Sequence, residues 1–271
     1  MKHAPTRAFL KWAGGKFGLM KEIKAHLPEA DVLVEPFVGA GSVFLNTQYS
    51  AYHLNDINPD LINLYQLLKS KPEQIIADVE RLMQESNNQA ERYYALRDEF
   101  NQCNDIQRRS ALFVYLNRHG YNGLCRYNRK GGYNVPFGRY KRPYFPQKEM
   151  WAFAEKAQLA TFSCLSYQDV MRNAPANAVI YCDPPYAPIS DTAKFTDYAR
   201  VGFSLDDQHQ LAVLAREAAA QGTSVLLSNH DTALTRELYR GAKLTKLHVS
   251  RTISRHGASR KKVGELLALY R

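Results

Sequence analysis

From Ile106 to Lys148 the chain contains no aspartate and no glutamate. Within that stretch no acidic residue offsets the basic ones. Cysteine is scarce, and Cys103, Cys125, Cys164 and Cys182 are scattered without a Cys-x-x-Cys pair. That excludes the usual spacing of zinc sites and dithiol redox centres. No metal is expected, and the thiols read as reduced. No uninterrupted apolar run is long enough to span a bilayer, and Met1 to Ala8 lacks the apolar centre of a secretory signal. A cytoplasmic protein with no membrane partner is the expectation. No Gly-x-x-x-x-Gly-Lys-[Ser/Thr] loop occurs, which leaves phosphoryl transfer without support. Low-complexity tracts and internal repeats are absent too. The 271 residues, 45% hydrophobic and 11% aromatic, suit one sizeable core with a smaller unit inserted or appended.

What the carboxylate-free segment does contain is ten basic residues: Arg108, Arg109, Arg118, Arg126, Arg129, Lys130, Arg139, Lys141, Arg142 and Lys148. The whole chain has 36 Lys and Arg against 26 Asp and Glu, so this one segment carries the entire net charge of +10. Tyr115, Tyr121, Tyr127, Tyr133, Tyr140 and Tyr144 are interleaved with the cations, as are Asn117, Asn122, Asn128 and Asn134. Arg and Lys neutralise phosphates, while Arg, Asn and Tyr reach or stack on bases. A membrane-facing patch would be a Lys-rich amphipathic helix. Here Gly120, Gly123, Gly131, Gly132, Pro136 and Gly138 break the segment. Nucleic acid is the expected partner, with an ordinary basic surface as the plain alternative.

Asp31–Val34 reads as a short buried strand running into Glu35-Pro36-Phe37-Val38-Gly39-Ala40-Gly41, with a helix opening at Ser42. A second strand, Tyr52–Leu54, leads to Asn55-Asp56. Together they form a βαβ unit of the nucleotide-binding kind. Gly39 and Gly41 let backbone approach a ligand, and Asp56 stands where a carboxylate binds ribose hydroxyls in such folds. Phe44 occupies the position where the dinucleotide fingerprint has a third small residue. From Pro59 to about Asn117 the pattern is helical, with amphipathic helices around Leu61–Leu68 and Ile75–Met83. Strands recur at Val179–Cys182 and Ser224–Leu227, separated by a helix over 205–221. That helix has Ser204 as N-cap, Asp207 in the capping-box position and Gly222 as C-cap. A helical, basic unit is thus inserted into an α/β core.

Asp183-Pro184-Pro185-Tyr186 closes the apolar run Ala178-Val179-Ile180-Tyr181-Cys182. A carboxylate and a carbonyl beside prolines, which offer no competing donor, suit the two N–H bonds of an exocyclic amine on a planar base. Tyr186 can stack on the ring. An aryl amine is a weak nucleophile because its lone pair is delocalised, and two acceptors out of the ring plane would draw it toward an electrophile. The alternative is a turn that merely ends a strand.

Three segments occur in order: Lys11-Trp12-Ala13-Gly14-Gly15-Lys16, Glu35 to Ser42, and Asp183 to Tyr186. With Arg118 to Asn128, Pro136 to Lys141 and Leu227-Ser228-Asn229-His230-Asp231, they resemble the Dam-type DNA adenine-N6 methyltransferases over essentially the whole chain. The resemblance implies a Rossmann-like S-adenosylmethionine-dependent methyltransferase core with an inserted, mainly helical DNA-recognition domain. Residues 1–58 and 149–271 would be the two parts of the core, and 59–148 the insertion. It implies S-adenosylmethionine as methyl donor and adenine within GATC in double-stranded DNA as target, reached by base flipping. Catalysis falls to Asp183, Pro184 and Tyr186. Cofactor binding falls to Trp12, Lys16, Glu35, Phe37, Gly39, Gly41, Asp56 and Asp183, with Asp169 either reading the cofactor adenine or capping a helix. For DNA, it suggests base reading by Lys11, Leu124, Arg126, Pro136 and Tyr140, and insertion or stacking by Tyr121 beside Asn122. Phosphate contacts fall to Arg97, Asn128, Arg139 and Lys141, with Arg118 also on the DNA side. A monomer is expected. Alternatives are amino methylation of RNA adenine or DNA cytosine-N4, and a non-catalytic DNA-binding protein on the same scaffold.

Overall fold

A computed structural model describes residues 5–187, 203–247 and 264–271. In chain order the helices are α1 (Met20–His26), α2 (Ser42–Asn46), α3 (Pro59–Ser70), α4 (Pro72–Leu82) and α5 (Ala90–Gln102). They continue with α6 (Ile106–His119), α7 (Gln147–Lys156), α8 (Tyr167–Arg172), α9 (Leu205–Ala220) and α10 (Ala233–Leu238). The strands are β1 (Val32–Glu35), β2 (Ala51–Asn55), β3 (Ala160–Ser163), β4 (Ala178–Cys182), β5 (Ser224–His230), β6 (Lys243–Leu247) and β7 (Glu265–Tyr270). The chain forms two compact units, one of residues 1–18, 38–47 and 56–164, the other of 19–37, 48–55 and 165–271. The helical segment 59–148 falls wholly inside the first unit, which also takes in the glycine turn after Phe37 and the chain through Cys164.

Among the described residues, six of the seven strands belong to the second unit, in the order β2-β1-β4-β5-β7-β6. β2, β1, β4 and β5 are parallel, while β7 runs antiparallel between β5 and β6. β4 is buried at every residue, as a strand covered on both faces must be. Val225 and Leu227 of β5 pack with Val170 and Met171 of α8 and Leu211, Leu214 and Ala215 of α9. α9 begins with both bonds of a capping box, Ser204 and Asp207 each accepting from the other's backbone N–H. Its C-cap is Gln221 rather than Gly222, which takes the left-handed position next along, at φ 87°. β6, β7 and α10 have no counterpart in the sequence reading. Glu265-Leu266-Leu267-Ala268-Leu269 is built from good helix formers, and sheet pairing on both sides overrides that propensity.

In the first unit α6 is buried around its circumference from Ser110 to Asn117, as befits a helix in the centre of a bundle. α3 starts on Asn58, whose side chain accepts from the N–H groups of Asp60 and Leu61, with Pro59 at the first helical position. Asp60 then receives two bonds from the Arg109 guanidinium, at 2.5 and 3.0 Å, and one from the Tyr127 hydroxyl at 2.7 Å. One carboxylate therefore joins α3, α6 and the irregular segment after α6. Removing it would strand a half-buried cation and a phenol. Asp60→Ala is expected to lower stability by about 3 kcal/mol in urea unfolding. A loss under about 1 kcal/mol would mean that the pair is effectively solvated.

Candidate active site and nucleic-acid interface

In the second unit, β4 delivers the chain to Asp183. Its Oδ1 accepts from the Ser228 hydroxyl at 2.9 Å. The next residues are held one by one. The Pro185 carbonyl accepts from Gln208 Nε2 at 2.7 Å, and the Tyr186 hydroxyl donates to Glu265 Oε2 at 3.0 Å. The Ala187 N–H donates to Asn229 Oδ1 at 3.0 Å, and its carbonyl lies 2.8 Å from His230 Nδ1. Among the described residues, no donor reaches the Pro184 carbonyl. Tyr186 meets the His230 ring edge-on, with centroids 4.8 Å apart. Burial, together with Asp183 and Glu265, pushes its phenol well above the ordinary range, so it serves as a neutral donor and a ring face.

Glu35 is buried at the end of β1. Phe37 stacks on Tyr167 at 5.4 Å and meets Phe203 edge-on at 5.7 Å, which makes it part of an aromatic cluster. Asp169 lies in the first turn of α8, where its N–H donates to Ser166 Oγ and its Oδ2 accepts from the same hydroxyl at 2.6 Å. The N-cap of α8 is Ser166, and Asp169 is a first-turn residue bonded to it rather than the cap.

The first unit brings together Trp12, Gly39 and Asp56. Gly39 sits at φ 47°, and a Cβ on it would come within 2.9 Å of Trp12 Nε1, so only glycine admits the indole. The Gly39 N–H donates to Asp56 Oδ2 at 3.1 Å, and the Asn58 N–H to Oδ1 at 3.0 Å. Burial raises the proton affinity of Asp56, and these two N–H groups partly offset it. Gly41, at φ 73°, precedes α2. Lys16 is buried, with its ammonium on the Gly14 carbonyl at 2.5 Å. Next to Asp56, Ile57 is 72% exposed, an apolar face beside a paired acceptor.

The carboxylate-free segment is not uniformly outward. Arg108 pairs with Glu99 and Arg109 with Asp60, so two of its cations build the bundle. Tyr121, Asn122, Arg126, Asn128, Pro136, Arg139 and Lys141 are exposed, and Leu124 and Tyr140 are half-buried. Asn122 and Arg139 both adopt φ 54°, which turns the chain sharply on either side of the hairpin-like stretch where Tyr127 faces Tyr133. Tyr121 N–H is tied to the Pro136 carbonyl at 2.8 Å. The Arg126 fork is held against Asn134 by bonds of 2.7 and 3.0 Å. Asn128 Oδ1 accepts from the N–H groups of Lys130 and Gly132, so that side chain shapes the turn. Arg97 lies 4.8 Å over the Tyr94 ring and donates to the Val135 carbonyl, and Arg118 donates to the Tyr144 and Phe9 carbonyls.

Lys11 is clamped through its backbone: Asn117 accepts from its N–H at 2.9 Å and donates to its carbonyl at 2.7 Å. Its stem lies against Gly123, where a Cβ would come within 2.2 Å of the Lys11 Cβ. Its ammonium stands 3.9 Å over the Tyr140 ring. Burial, then the nearby Arg118, pulls the Lys11 amine down to about 8.

Sequence reasoning missed Gln208, Ser228, Asn229, Glu265 and Ile57. Ser228-Asn229-His230 was visible as part of a family-like segment but carried no assigned role. Glu265 was visible as a lone carboxylate ahead of an apolar run. Among the described residues, no group of three His, Cys, Asp or Glu is placed to hold a metal, and no helix is long and apolar enough to cross a membrane.

A paired-acceptor turn after one strand, a glycine turn and acidic end after two others, and a Tyr- and Arg-rich surface are features of one enzyme class. Residues 12–253 match the family model of the D12 class N6 adenine-specific DNA methyltransferases, and the chain belongs to that family. It is similar over 265 residues to the DNA adenine methylase of Vibrio cholerae, at 60% identity across 97% of this chain and 96% of the relative. The DNA adenine methylases of Salmonella typhi and Escherichia coli K12 are 59% and 57% identical, each across 98% of this chain, with 95% and 96% of the relatives covered. This chain is accordingly an adenine-specific DNA methyltransferase.

The depressed Lys11 amine gives a pH prediction. Lys11 is charged below about 8 and loses its proton above it, so any contact that needs the cation must take up a proton at higher pH. Duplex affinity, followed by fluorescence anisotropy, should fall between pH 7 and 9. Lys11→Met should bind more weakly at pH 7 and show a flatter profile. Parallel profiles for the two proteins would remove Lys11 from the contact.

Proposed function

We propose that this methyltransferase transfers the methyl of S-adenosylmethionine to adenine N6 within GATC sites of duplex DNA, flipping the base out of the helix and acting as a cytoplasmic monomer. One observation carries the chemistry: in a turn where the Pro185 carbonyl and both backbone groups of Ala187 are committed, the Pro184 carbonyl stands beside Asp183 without a donor among the described residues. Two acceptors side by side match the two N–H bonds of an adenine amine. Accepting from both would draw the nitrogen lone pair out of conjugation. The base must leave the stack to reach such a turn, at a cost of a few kcal/mol, which Tyr186 stacking and these hydrogen bonds would offset.

The residues of the first unit fit the methyl donor. Asp56, its two oxygens steered by the Gly39 and Asn58 N–H groups, offers a paired acceptor for a ribose. Ile57 offers an apolar face for a base, and Trp12 flanks the glycine turn. S-adenosylmethionine, when bound, supplies an electrophilic methyl group. The protein's own part is to hold and desolvate the amine, orient it through Asp183 and Pro184, and exclude water. Such positioning is worth several kcal/mol, and about 7–11 in ideal cases.

Choice of GATC rests on the resemblance of segments 118–128 and 136–141 to the Dam-type recognition segments, and the exposure of Tyr121, Asn122, Arg126 and Arg139 supports it. Arg126 would exchange its bonds to Asn134 for guanine O6 and N7.

Asp183→Ala should abolish methyl transfer while leaving duplex affinity near that of the parent, because the phosphate-facing charge lies in the Ile106–Lys148 segment. Near-normal turnover would end the catalytic reading. Arg126→Ala should keep the fold and donor binding, but lower the kcat/KM preference for GATC over singly altered sites by about tenfold or more. Equal weakening at every site would make Arg126 a phosphate clamp instead.

A further inference from the structure

Ser228 lies one step beyond the Cys182–Leu227 pair in the parallel register of β4 and β5, which brings it beside Asp183. Its Oγ is 2.9 Å from Asp183 Oδ1, 3.1 Å from the Tyr181 hydroxyl and 3.4 Å from the Cys182 carbonyl. Ser228 and Tyr181 are each 1% exposed. Proton counting gives the cluster a direction. An ionised carboxylate only accepts, so the single Ser228 proton points to Asp183. Tyr181 must then donate to the Ser228 oxygen. Burial and Asp183 itself hold the Tyr181 phenol well above its ordinary range, so it stays a donor. The result is a chain, Tyr181 to Ser228 to Asp183, buried at its first two members and ending on the half-buried carboxylate assigned to the amine.

We propose that Ser228 is a positioning residue of this methyltransferase, and that its hydroxyl, held by Tyr181, fixes the Asp183 carboxylate plane and sustains its ionised form. The inference rests on the assignment of Asp183 to the target amine. A donor to one oxygen of a carboxylate favours the charged form and removes rotation about the Cβ–Cγ bond. The carboxylate then meets the amine without first reorganising. Asn229 and Gln208 play a different part, since their bonds go to the backbone at Ala187 and Pro185 and set the path of the turn rather than the carboxylate.

Among the described residues, the titratable groups facing this cluster include Glu35 on β1, Tyr181 and Cys182 on β4, Tyr186 in the turn, His230 on β5 and Glu265 on β7. Glu35 and Glu265 are like charges that would push protons onto Asp183, which makes a donor at Ser228 more consequential. Loss of the donor raises the proton affinity of Asp183. The acid limb of the methyl-transfer rate should therefore move to higher pH.

The test is the single-turnover methyl-transfer rate against pH for the parent, Ser228→Ala, Ser228→Thr and Tyr181→Phe, with S-adenosylmethionine and duplex affinities measured alongside. Ser228→Ala is expected to lose about tenfold in rate, with its acid limb raised by about one pH unit and both affinities within about twofold of the parent. Ser228→Thr, which keeps the hydroxyl, should recover most of the rate, and Tyr181→Phe should show a smaller displacement in the same direction. An unmoved acid limb in Ser228→Ala overturns the proposal, as does a loss that Thr does not rescue. If Ser228→Ala does not fold, Tyr181→Phe decides: an unmoved limb there overturns the relay. Asp183→Asn separates the two readings. Parent-like activity in that variant ends the assignment of Asp183 itself, whereas an inactive Asp183→Asn beside an indifferent Ser228→Ala ends only the inference about Ser228.

Discussion

The parallel pairing of β4 with β5 is the constraint on which the Asp183–Ala187 turn depends. It sets Ser228, Asn229 and His230 against Asp183 through Ala187, a stretch containing two prolines that cannot donate to a ladder. A turn leaving a buried strand exposes backbone groups that must find partners or lose about 1–3 kcal/mol each. Side chains from β5 and α9 supply such partners here, while Glu265 of β7 takes the Tyr186 hydroxyl. A turn tied down at these points suits the proposed reaction, which depends on alignment of a weak nucleophile.

The first unit solves another problem, the concentration of positive charge. Two cations of the carboxylate-free segment are turned inward to pair with Glu99 and Asp60, and they tie α6 to α5 and α3. Arg118 is half-buried on the Phe9 and Tyr144 carbonyls, and the other cations are displayed on a scaffold that those inward pairs stabilise. Tyr127 links the two parts, since its hydroxyl closes on Asp60 while its backbone bridges to Tyr133 within the carboxylate-free segment. Lys11 enters this surface from far away in sequence, clamped by Asn117 and seated where Gly123 has no side chain.

Much of this was legible in the residues. The βαβ unit, the helix from Leu205 with its Ser204 and Asp207 cap, and the charge asymmetry are local patterns, and local patterns survive folding. The glycine at position 39 was legible as a close approach, though not that the approaching group is Trp12. Other features had no local signature. Ser228, Gln208 and Glu265 act on a turn that lies 23 to 79 residues away in the chain, and no periodicity encodes such contacts. β7 was hidden because its residues favour a helix, and only pairing with β5 and β6 makes them a strand. Gly222 was taken for the C-cap of its helix, a role that belongs to its neighbour Gln221.

The central claim is that the Asp183–Tyr186 turn accepts an adenine amine. The most direct measurement is nucleoside mass spectrometry of duplexes incubated with the protein and methyl-labelled S-adenosylmethionine, comparing GATC with singly altered sites. The account predicts label only in N6-methyladenine and concentrated in the GATC duplex. Label in N4-methylcytosine, or none in any duplex with S-adenosylmethionine at saturation, would contradict it.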